Sequence, residues 1–259
     1  MKQQFRLPLA SAVVATLLPL LNACVTTSDQ LGKKDDAVAA VANMQLSIDS
    51  MQRGDLSEAK AKIDRALGQD PKNASVRYVA GMLYSRINEV HKADSFYAEA
   101  VNLEPRNGDY VNGYAAFLCS HKFYTKGEKM ALKIADDPLY KAPYMALLNA
   151  GNCALDDGRP NKAEEYFRSA LKLQPNFSPA LLQMAELELK GTNYLSARAF
   201  LERYLQNAPT TAFSLWLGVR IERGMGNLNA VQNYSRRLKE DFPTSDETKA
   251  LLELERKKT

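Results

Sequence analysis

The composition and charge of the chain argue against nucleic-acid binding before any motif is considered. Its 259 residues include 34 basic and 30 acidic side chains, a formal net charge of +4, and 46% of the residues are hydrophobic. The basic and acidic residues are interleaved along the chain, so there is no basic stripe of the kind that binds nucleic acid. We therefore expect no nucleic-acid partner.

The first 23 residues have the pattern of a secretory signal peptide. Lys2 and Arg6 precede an apolar run from Leu7 to Leu21 that contains no acidic residue. This run is shorter than the roughly 20 residues that a membrane-spanning helix needs, and two prolines interrupt it. We therefore expect residues 1–23 to be removed as a signal peptide.

The end of this segment, Leu-Asn-Ala-Cys at residues 21–24, resembles the lipobox of bacterial lipoproteins. The resemblance implies cleavage before Cys24 and its lipidation; the alternative is an ordinary secretory cleavage after Ala23. Several acyl chains would anchor the protein stably, because each buried methylene contributes about 0.8 kcal/mol. In lipoproteins of Gram-negative bacteria an aspartate after the cysteine favours the inner membrane. Val25 thus implies the periplasmic face of the outer membrane.

The residues after Cys24 differ in character from the rest of the chain. Residues 24–36 are polar and lack hydrophobic periodicity, so we expect the lipidated cysteine to lead into a flexible tether. The remaining residues, 37–259, are expected to form a single domain.

This domain carries a regular proline repeat. The prolines are separated by 34, 70, 34 and 34 residues, and 70 is two periods plus two residues: Pro71, Pro105, Pro175, Pro209 and Pro243. Small residues recur in the same register, twelve residues before four of the prolines and again further upstream: Ala59, Ala93, Ala163 and Ala197, then Ser47, Gly81, Ala115, Gly151 and Ala185. A period of 34 residues with paired small residues is typical of the tetratricopeptide repeat (TPR).

We therefore predict an all-α fold, a right-handed superhelical solenoid of about six TPR helical hairpins with a C-terminal capping helix. Small residues such as Gly81 and Ala93 let the two helices of a hairpin touch, and each proline ends a second helix. The cap should cover the open face of the last repeat, as solenoids require. The predicted repeats and cap lie near residues 40–73, 74–107, 108–141, 144–177, 178–211, 212–245 and 246–259.

The chain lacks the residue patterns of common enzymes. Its two histidines, His91 and His121, have no histidine or cysteine at ligand spacing beside them, which argues against a metal site. No Gly-x-Ser-x-Gly, His-Glu-x-x-His or phosphate-binding glycine loop is present. We therefore predict that the protein is not an enzyme, with no catalytic residue, metal, cofactor or small-molecule substrate.

Two cysteines remain beside Cys24. Cys119 and Cys153 fall on the first helices of the third and fourth repeats, at heights that differ by about 3 Å at 1.5 Å per residue. An oxidising periplasm favours a disulfide between them. However, their repeat positions usually face different sides of the helix, and a bond needs α-carbons within roughly 7 Å. Two possibilities therefore remain, a disulfide between Cys119 and Cys153 or two buried free thiols.

The first helices of stacked hairpins form a concave wall that holds partners. The residues at the usual inward positions are largely apolar, and methionine and aromatic side chains suit an amphipathic helix or an extended apolar peptide. Asn112 and Asn152 are candidates for bonding a peptide backbone. The alternative is that many of these side chains only pack between repeats. The predicted groove residues are Met44, Ile48, Tyr78, Met82, Asn112, Met145, Leu148, Asn152, Leu155, Leu182 and Trp216.

Residues 112–119, Asn-Gly-Tyr-Ala-Ala-Phe-Leu-Cys, and residues 149–155, Asn-Ala-Gly-Asn-Cys-Ala-Leu, resemble repeats three and four of the PilF/PilW lipoproteins of type IV pilus biogenesis. The resemblance spans nearly the whole chain and includes both cysteines. Gly113 and Ala115 differ from the family pattern, which has asparagine and glycine there.

The resemblance implies a pilotin, an outer-membrane lipoprotein that helps the pilus secretin to reach that membrane, to multimerise or to remain stable, and so supports twitching motility. The implied partners are the secretin subunit and the outer membrane, the latter through the acyl chains on Cys24. The alternatives are a repeat lipoprotein of the outer-membrane β-barrel assembly machinery and a regulator of cell-wall enzymes.

Overall fold

The protein is described here by a computed structural model, which covers the backbone of residues 22–256 and side chains from Lys34 onward. Over this range the chain forms α-helices joined by short connections, and no strand occurs within it. The helices are α1 Asn22–Arg53, α2 Leu56–Gln69, α3 Ala74–Arg86, α4 Val90–Leu103, α5 Gly108–Ser120, α6 Tyr124–Ala135, α7 Pro143–Asp156, α8 Pro160–Leu173, α9 Ser178–Lys190, α10 Tyr194–Asn207, α11 Ala212–Gly224, α12 Leu228–Asp241 and α13 Asp246–Arg256.

Helices α1 to α12 form six consecutive hairpins, with the two helices of one hairpin in each predicted repeat. The all-α TPR fold predicted from the sequence is confirmed. The chain divides into two compact units, one ending at Val79 and the other beginning at Ala80. In the first unit α1 packs against α2, where the buried Ser47 hydroxyl donates to the Ala59 carbonyl at 2.8 Å. In the second unit each helix from α4 to α12 packs against the next.

The polar segment at residues 24–36, which the sequence analysis assigned to a flexible tether, belongs to α1 in the structure. The segment contains no proline, and α1 continues without interruption into residues 37–53. Once a helix has formed, each further residue adds a hydrogen bond without a new nucleation cost. A polar sequence can therefore extend a helix that is packed elsewhere. Residues 1–21, which hold most of the predicted signal peptide, lie outside the described range.

The prolines that set the repeat period lie two residues beyond the ends of second helices. Helices α2, α4 and α8 end at Gln69, Leu103 and Leu173, and the prolines follow at 71, 105 and 175. The residue between them leaves the helical conformation, as Glu104 does with ψ 72°, because the proline ring crowds the preceding backbone. The regular spacing in sequence is thus a spacing of helix ends.

The turn inside each of the six hairpins has the same backbone shape. One residue of every turn has a positive φ between 61° and 80°. In the fifth hairpin Thr192 takes this position, and the next residue, Asn193, donates its amide to the Glu188 carbonyl at 2.8 Å. This pattern is a Schellman motif, which satisfies the last carbonyls of the first helix. The positive-φ residues are Gly54, Asn88, Lys122, Gly158, Thr192 and Gly226.

Helix α13 packs on the last hairpin, against α11 and α12. Leu251 is 2% exposed and joins Leu215, Val219 and Leu238 in one cluster. Leu252 points outward, with 40% of its surface exposed. The cap begins at Asp246, and its described part ends at Arg256.

Glycines at the hairpin seams admit aromatic rings. A Cβ atom built on Gly81 would lie 2.9 Å from Cγ of Tyr97 on α4. The ring of Tyr97, rather than Ala93 alone, therefore sets how closely α3 and α4 approach in this hairpin. At Gly151 a Cβ would lie 2.3 Å from the Phe167 ring on α8. The small residues that repeat in the sequence make room for these rings.

We expect Gly81→Leu to lower the free energy of unfolding by about 2 kcal/mol, because the new side chain must displace the Tyr97 ring. Gly68→Leu is a matched control: Gly68 also lies within a helix, but a Cβ there meets nothing within 4 Å. The control should be neutral or slightly stabilising, since glycine is a poor helix former. Urea denaturation of the two variants and the parent measures both effects. Equal midpoints for Gly81→Leu and the parent would refute the close contact.

Candidate functional site

The predicted groove residues of the first unit are half-buried. Met44 and Ile48 lie on α1, and Tyr78 lies near the start of α3. Each of them keeps part of its surface in contact with solvent.

In the second unit, helix α7 presents one continuous open face. Met145, Leu148, Asn152 and Leu155 recur at intervals of three or four residues, which places them on one side of a helix. Met145 is 43% exposed, and the other three are half-buried. Between them Ala146, Ala150 and Ala154 are fully buried on the opposite side. We define the groove face as these four residues together with Leu182 of α9 and Trp216 of α11, both half-buried. Met82, 40% exposed on α3, lies in the same unit.

Several of these side chains are partly exposed and also pack against the hydrophobic core. Leu148, Leu155 and Leu182 contact the buried cluster that contains Leu181 and Met184. Trp216 contacts the cluster of Leu215 and Leu251 at the C-terminal end. Each of these side chains therefore packs between helices with part of its surface and leaves the rest open to solvent. Binding of a partner by the open part stays a prediction.

Asn112 lies elsewhere than expected. It is only 7% exposed, and its Oδ1 accepts a hydrogen bond of 2.8 Å from Nδ2 of Asn149 on α7. The amide links two neighbouring first helices and is largely buried between them. The repeat position of Asn112 could not reveal this hydrogen bond, because the donor, the side-chain amide of Asn149, belongs to the next repeat. Asn152, by contrast, makes no side-chain hydrogen bond within the described range and stays half-buried on the groove face.

Cys119 of α5 and Cys153 of α7 form a disulfide, with an S–S distance of 2.06 Å and α-carbons 5.0 Å apart. Both residues are buried, at 5% and 0% exposure. A Cβ atom on Gly127 of α6 would lie 2.5 Å from Sγ of Cys119, so glycine at this position makes room for the bond. The disulfide joins the first helices of repeats three and four, the helix pair that Asn112 and Asn149 also link.

Two buried carboxylates were not identified from the sequence. Glu188 of α9 accepts hydrogen bonds from Arg168 at 3.0 Å and from Asn193 at 3.0 Å. Glu222 occupies the same repeat position on α11. It accepts from Arg198, whose Nε lies 2.6 Å from Oε1, and from Asn227 at 2.9 Å. The available signal was a Glu-x-x-x-x-Asn pattern at residues 188–193 that recurs 34 residues later at 222–227.

Each of these carboxylates ties a first helix to the second helix before it, with Arg168 on α8 and Arg198 on α10. The hydrogen bonds to Glu222 raise the pKa of Arg198, so the guanidinium stays positively charged. The two clusters stabilise the stacking of neighbouring hairpins.

Two tyrosine hydroxyls also lie in ionic clusters. Tyr114 donates to Asp94 at 2.7 Å and accepts from Lys126 at 2.7 Å; burial, then the bond to Asp94, raises the pKa of Tyr114. Tyr166 donates to Glu128 at 2.7 Å, and burial followed by that bond raises the pKa of Tyr166. Neither hydroxyl is prepared to ionise, so both are structural donors.

The Glu128 carboxylate also accepts from Arg159 Nη2 at 2.6 Å. This bond is the main reason that the pKa of Glu128 lies below its ordinary value. Because the pKa of Glu128 is lowered, the ionised carboxylate stabilises the fold at neutral pH, and this stabilisation is lost as the pH falls through the acid range.

Among the described residues, no group of three or more His, Cys, Asp or Glu side chains is arranged to hold a metal ion. His121 caps the end of α5, where its ring lies 4.4 Å from that of Phe117. Within residues 22–256 no helix combines the length and apolar character that crossing a membrane requires.

Helices α9 and α11, the first helices of the last two hairpins, border a cleft. Its walls come from Leu189 of α9, Tyr194 of α10, Trp216, Arg220 and Arg223 of α11, and Leu254 of α13. The Tyr194 ring lies against the end of α11, where a Cβ on Gly224 would come within 2.2 Å of it.

Comparison with known proteins identifies both the repeats and relatives. Tetratricopeptide repeat family models match residues 74–107 and 154–215. The chain is 31% identical to the type IV pilus assembly protein PilF of Pseudomonas aeruginosa over 238 residues, which is 91% of this chain and 94% of that protein.

Two solved structures are similar over most of their length. The structure of Pseudomonas aeruginosa PilF aligns with a TM-score of 0.69 and 29% identity, covering 85% of this chain and 98% of that one. The crystal structure of PilW, a widely conserved type IV pilus biogenesis factor, aligns with a TM-score of 0.72 and 29% identity. It covers 82% of this chain and 98% of that one.

Proposed function

Because the chain belongs to the PilF/PilW family of TPR proteins of type IV pilus biogenesis, we propose that it acts as a pilotin. In this role the protein is a lipoprotein at the periplasmic face of the outer membrane. It promotes the localisation, multimerisation or stability of the pilus secretin. The observation that carries the proposal is the 31% identity to PilF across nearly the full length of both chains.

The N-terminal sequence supports the location. Residues 1–23 have the charge and apolar pattern of a signal peptide, and Cys24 follows a lipobox-like Leu-Asn-Ala. Val25 occupies the position where aspartate would favour the inner membrane. Acyl chains on Cys24 would hold the repeats close to the membrane in which the secretin assembles.

The groove face supports the mode of binding. Met145, Leu155 and Trp216 present flexible and aromatic apolar surface to solvent, and such side chains adapt to a helix or an extended segment. The half-buried Asn152 adds an amide with free hydrogen-bonding capacity beside them. A secretin segment that will later be buried in the membrane or in the multimer would present complementary apolar surface beforehand.

The test is a deletion of the gene, followed by membrane fractionation and gel analysis of the secretin as heat-resistant multimer and as monomer. We expect the multimer to be lost or mislocalised, together with twitching motility. The wild-type gene should restore it, and a Met145→Glu variant should restore it poorly. Leu139→Glu is the matched control, since Leu139 is 79% exposed in the connection between α6 and α7 and lies outside the groove face.

Normal secretin multimers in the deletion strain would overturn the proposal. Intact secretin beside broadly depleted outer-membrane barrels would favour a role in barrel assembly.

Replacing Cys24 by serine tests the anchor separately. We expect Cys24→Ser to release the protein into the soluble periplasmic fraction and to impair secretin assembly, because no acyl chain can be attached. Val25→Asp is the matched control: it keeps the cysteine and should retain the lipidated protein in the inner membrane. Unchanged outer-membrane fractionation of Cys24→Ser would refute the lipoprotein assignment.

A further inference from the structure

Helix α11 carries two arginines on the face that borders the C-terminal cleft. Trp216, Arg220 and Arg223 follow one another at intervals of four and three residues, so they form one row along the helix. Leu189, Tyr194 and Leu254 complete the walls of an open cleft of ≈ 510 Å³. Arg220 is half-buried and Arg223 is exposed.

These arginines differ from the others in the same part of the chain. Arg159, Arg168, Arg198 and Arg236 each pair with a carboxylate. Arg203 donates to the Pro175 carbonyl and Arg237 to the Thr210 hydroxyl. Within the described residues, neither Arg220 nor Arg223 has a hydrogen-bond or ion-pair partner. They are the only arginines between 159 and 237 of which this is true.

Three acidic residues on the helices that wall the cleft are engaged elsewhere. Glu222 is buried and binds Arg198 and Asn227. Glu186 on α9 pairs with Lys190 at 2.8 Å. Glu255 on α13 pairs with Lys239 at 2.7 Å. The two positive charges of the cleft are therefore not compensated by these carboxylates.

The chemistry of the cleft selects its ligand. A guanidinium presents a planar array of N–H donors whose geometry matches a carboxylate. Two guanidinium groups on one helix face can donate to the same carboxylate. The indole of Trp216, the ring of Tyr194 and the two leucines offer apolar contact immediately beside these donors. A ligand with a carboxylate next to an aromatic or aliphatic group satisfies both parts of the cleft.

We propose that this cleft binds an acidic side chain of a partner protein, aspartate or glutamate, in a segment that carries an aromatic or aliphatic residue beside it. A protein segment is favoured over a lipid headgroup because Trp216, which lines the cleft, is also one of the groove-face residues, so a peptide bound at Trp216 contacts both. The proposal does not depend on the secretin being the partner.

The test uses the full-length chain, purified in detergent, against a library of random peptides displayed with both of their ends blocked. We expect the enriched peptides to carry Asp or Glu next to Phe, Tyr, Trp or Leu. A synthetic amidated peptide from this set should bind at least ~10-fold more weakly to the Arg220→Ala, Arg223→Ala double variant, because the charge-assisted hydrogen bonds to its carboxylate are lost.

Two further variants separate specific binding from a general charge effect. Arg106→Ala with Lys133→Ala removes the same charge from exposed residues outside the cleft and should leave affinity unchanged. Arg220→Lys with Arg223→Lys keeps the charge and should give an intermediate affinity, because lysine cannot bind a carboxylate through two parallel donors. All variants should melt within a few degrees of the parent, as neither arginine has a hydrogen-bond or ion-pair partner to lose among the described residues.

Three results would overturn the proposal. The first is that no peptide is enriched, or that the enriched peptides lack acidic residues. The second is that the double variant binds them as tightly as the parent. The third is that the parent, but not the double variant, binds phosphatidylglycerol vesicles while no peptide is selected, which would assign the cleft to lipid.

Discussion

Replacing Glu222 by alanine is expected to lower the free energy of unfolding by about 3 kcal/mol, one of the two largest effects predicted for this chain. The Glu222 side chain is 6% exposed and the Arg198 side chain 28%, so both charges lie largely away from water. Removing one member of such a pair leaves the other charge without compensation. Asn227 loses its acceptor at the same time. Urea denaturation at neutral pH, followed by circular dichroism, measures the loss.

The equivalent substitution one repeat earlier is the matched control. Glu188→Ala should cost only about 1–2 kcal/mol, because Arg168 is 48% exposed and water screens its charge. Arg168 also keeps a second partner, Glu164, at 2.7 Å. Equal losses for the two variants would show that the clusters differ less than their exposure implies.

Replacing Cys119 and Cys153 together by alanine is expected to cost about 3–4 kcal/mol, since the disulfide closes a loop across 34 residues of sequence and restricts the unfolded chain. The relevant measurement is chemical denaturation under non-reducing conditions. In the native state both cysteines are buried, and alanine fills most of the volume they occupy. The effect should therefore arise mainly in the unfolded state.

The parent protein treated with reductant provides the control for this variant. Its unfolding midpoint should fall toward that of the double variant, whereas the double variant itself should not respond to reductant. A parent that unfolds at the same midpoint with and without reductant would contradict the prediction.

The fold was largely predictable because its strongest determinants are local. Each proline restricts its own backbone and that of the residue before it, so Pro105 and Pro175 mark helix ends wherever the rest of the chain lies. Glycine at positions such as 81 and 151 signals a close approach of helices. The identity of the approaching group, the Tyr97 or Phe167 ring, depends on side-chain packing that spacing does not specify.

The site was less predictable because burial depends on competition between neighbours. Asn112 and Asn152 both occupy repeat positions that usually face the groove, yet Asn112 is held by Asn149 of the next repeat and Asn152 is not. In the same way, the sequence shows eight arginines between 159 and 237 but not which of them lack partners. The residues 24–36 were predicted as a tether from polarity alone, although polarity does not prevent the extension of an existing helix.

The shared turn geometry also determines where this chain can change in length. In every hairpin the positive-φ residue lies two residues before the first residue of the second helix. An extra residue in this turn would break the hydrogen bonds that close the first helix. The two-residue departure from the repeat period instead falls between hairpins, in the connection 136–142, which is longer than its counterparts 104–107 and 174–177. With Leu139 79% exposed, its position within this connection is the natural point at which to insert a tag or a fluorescent label.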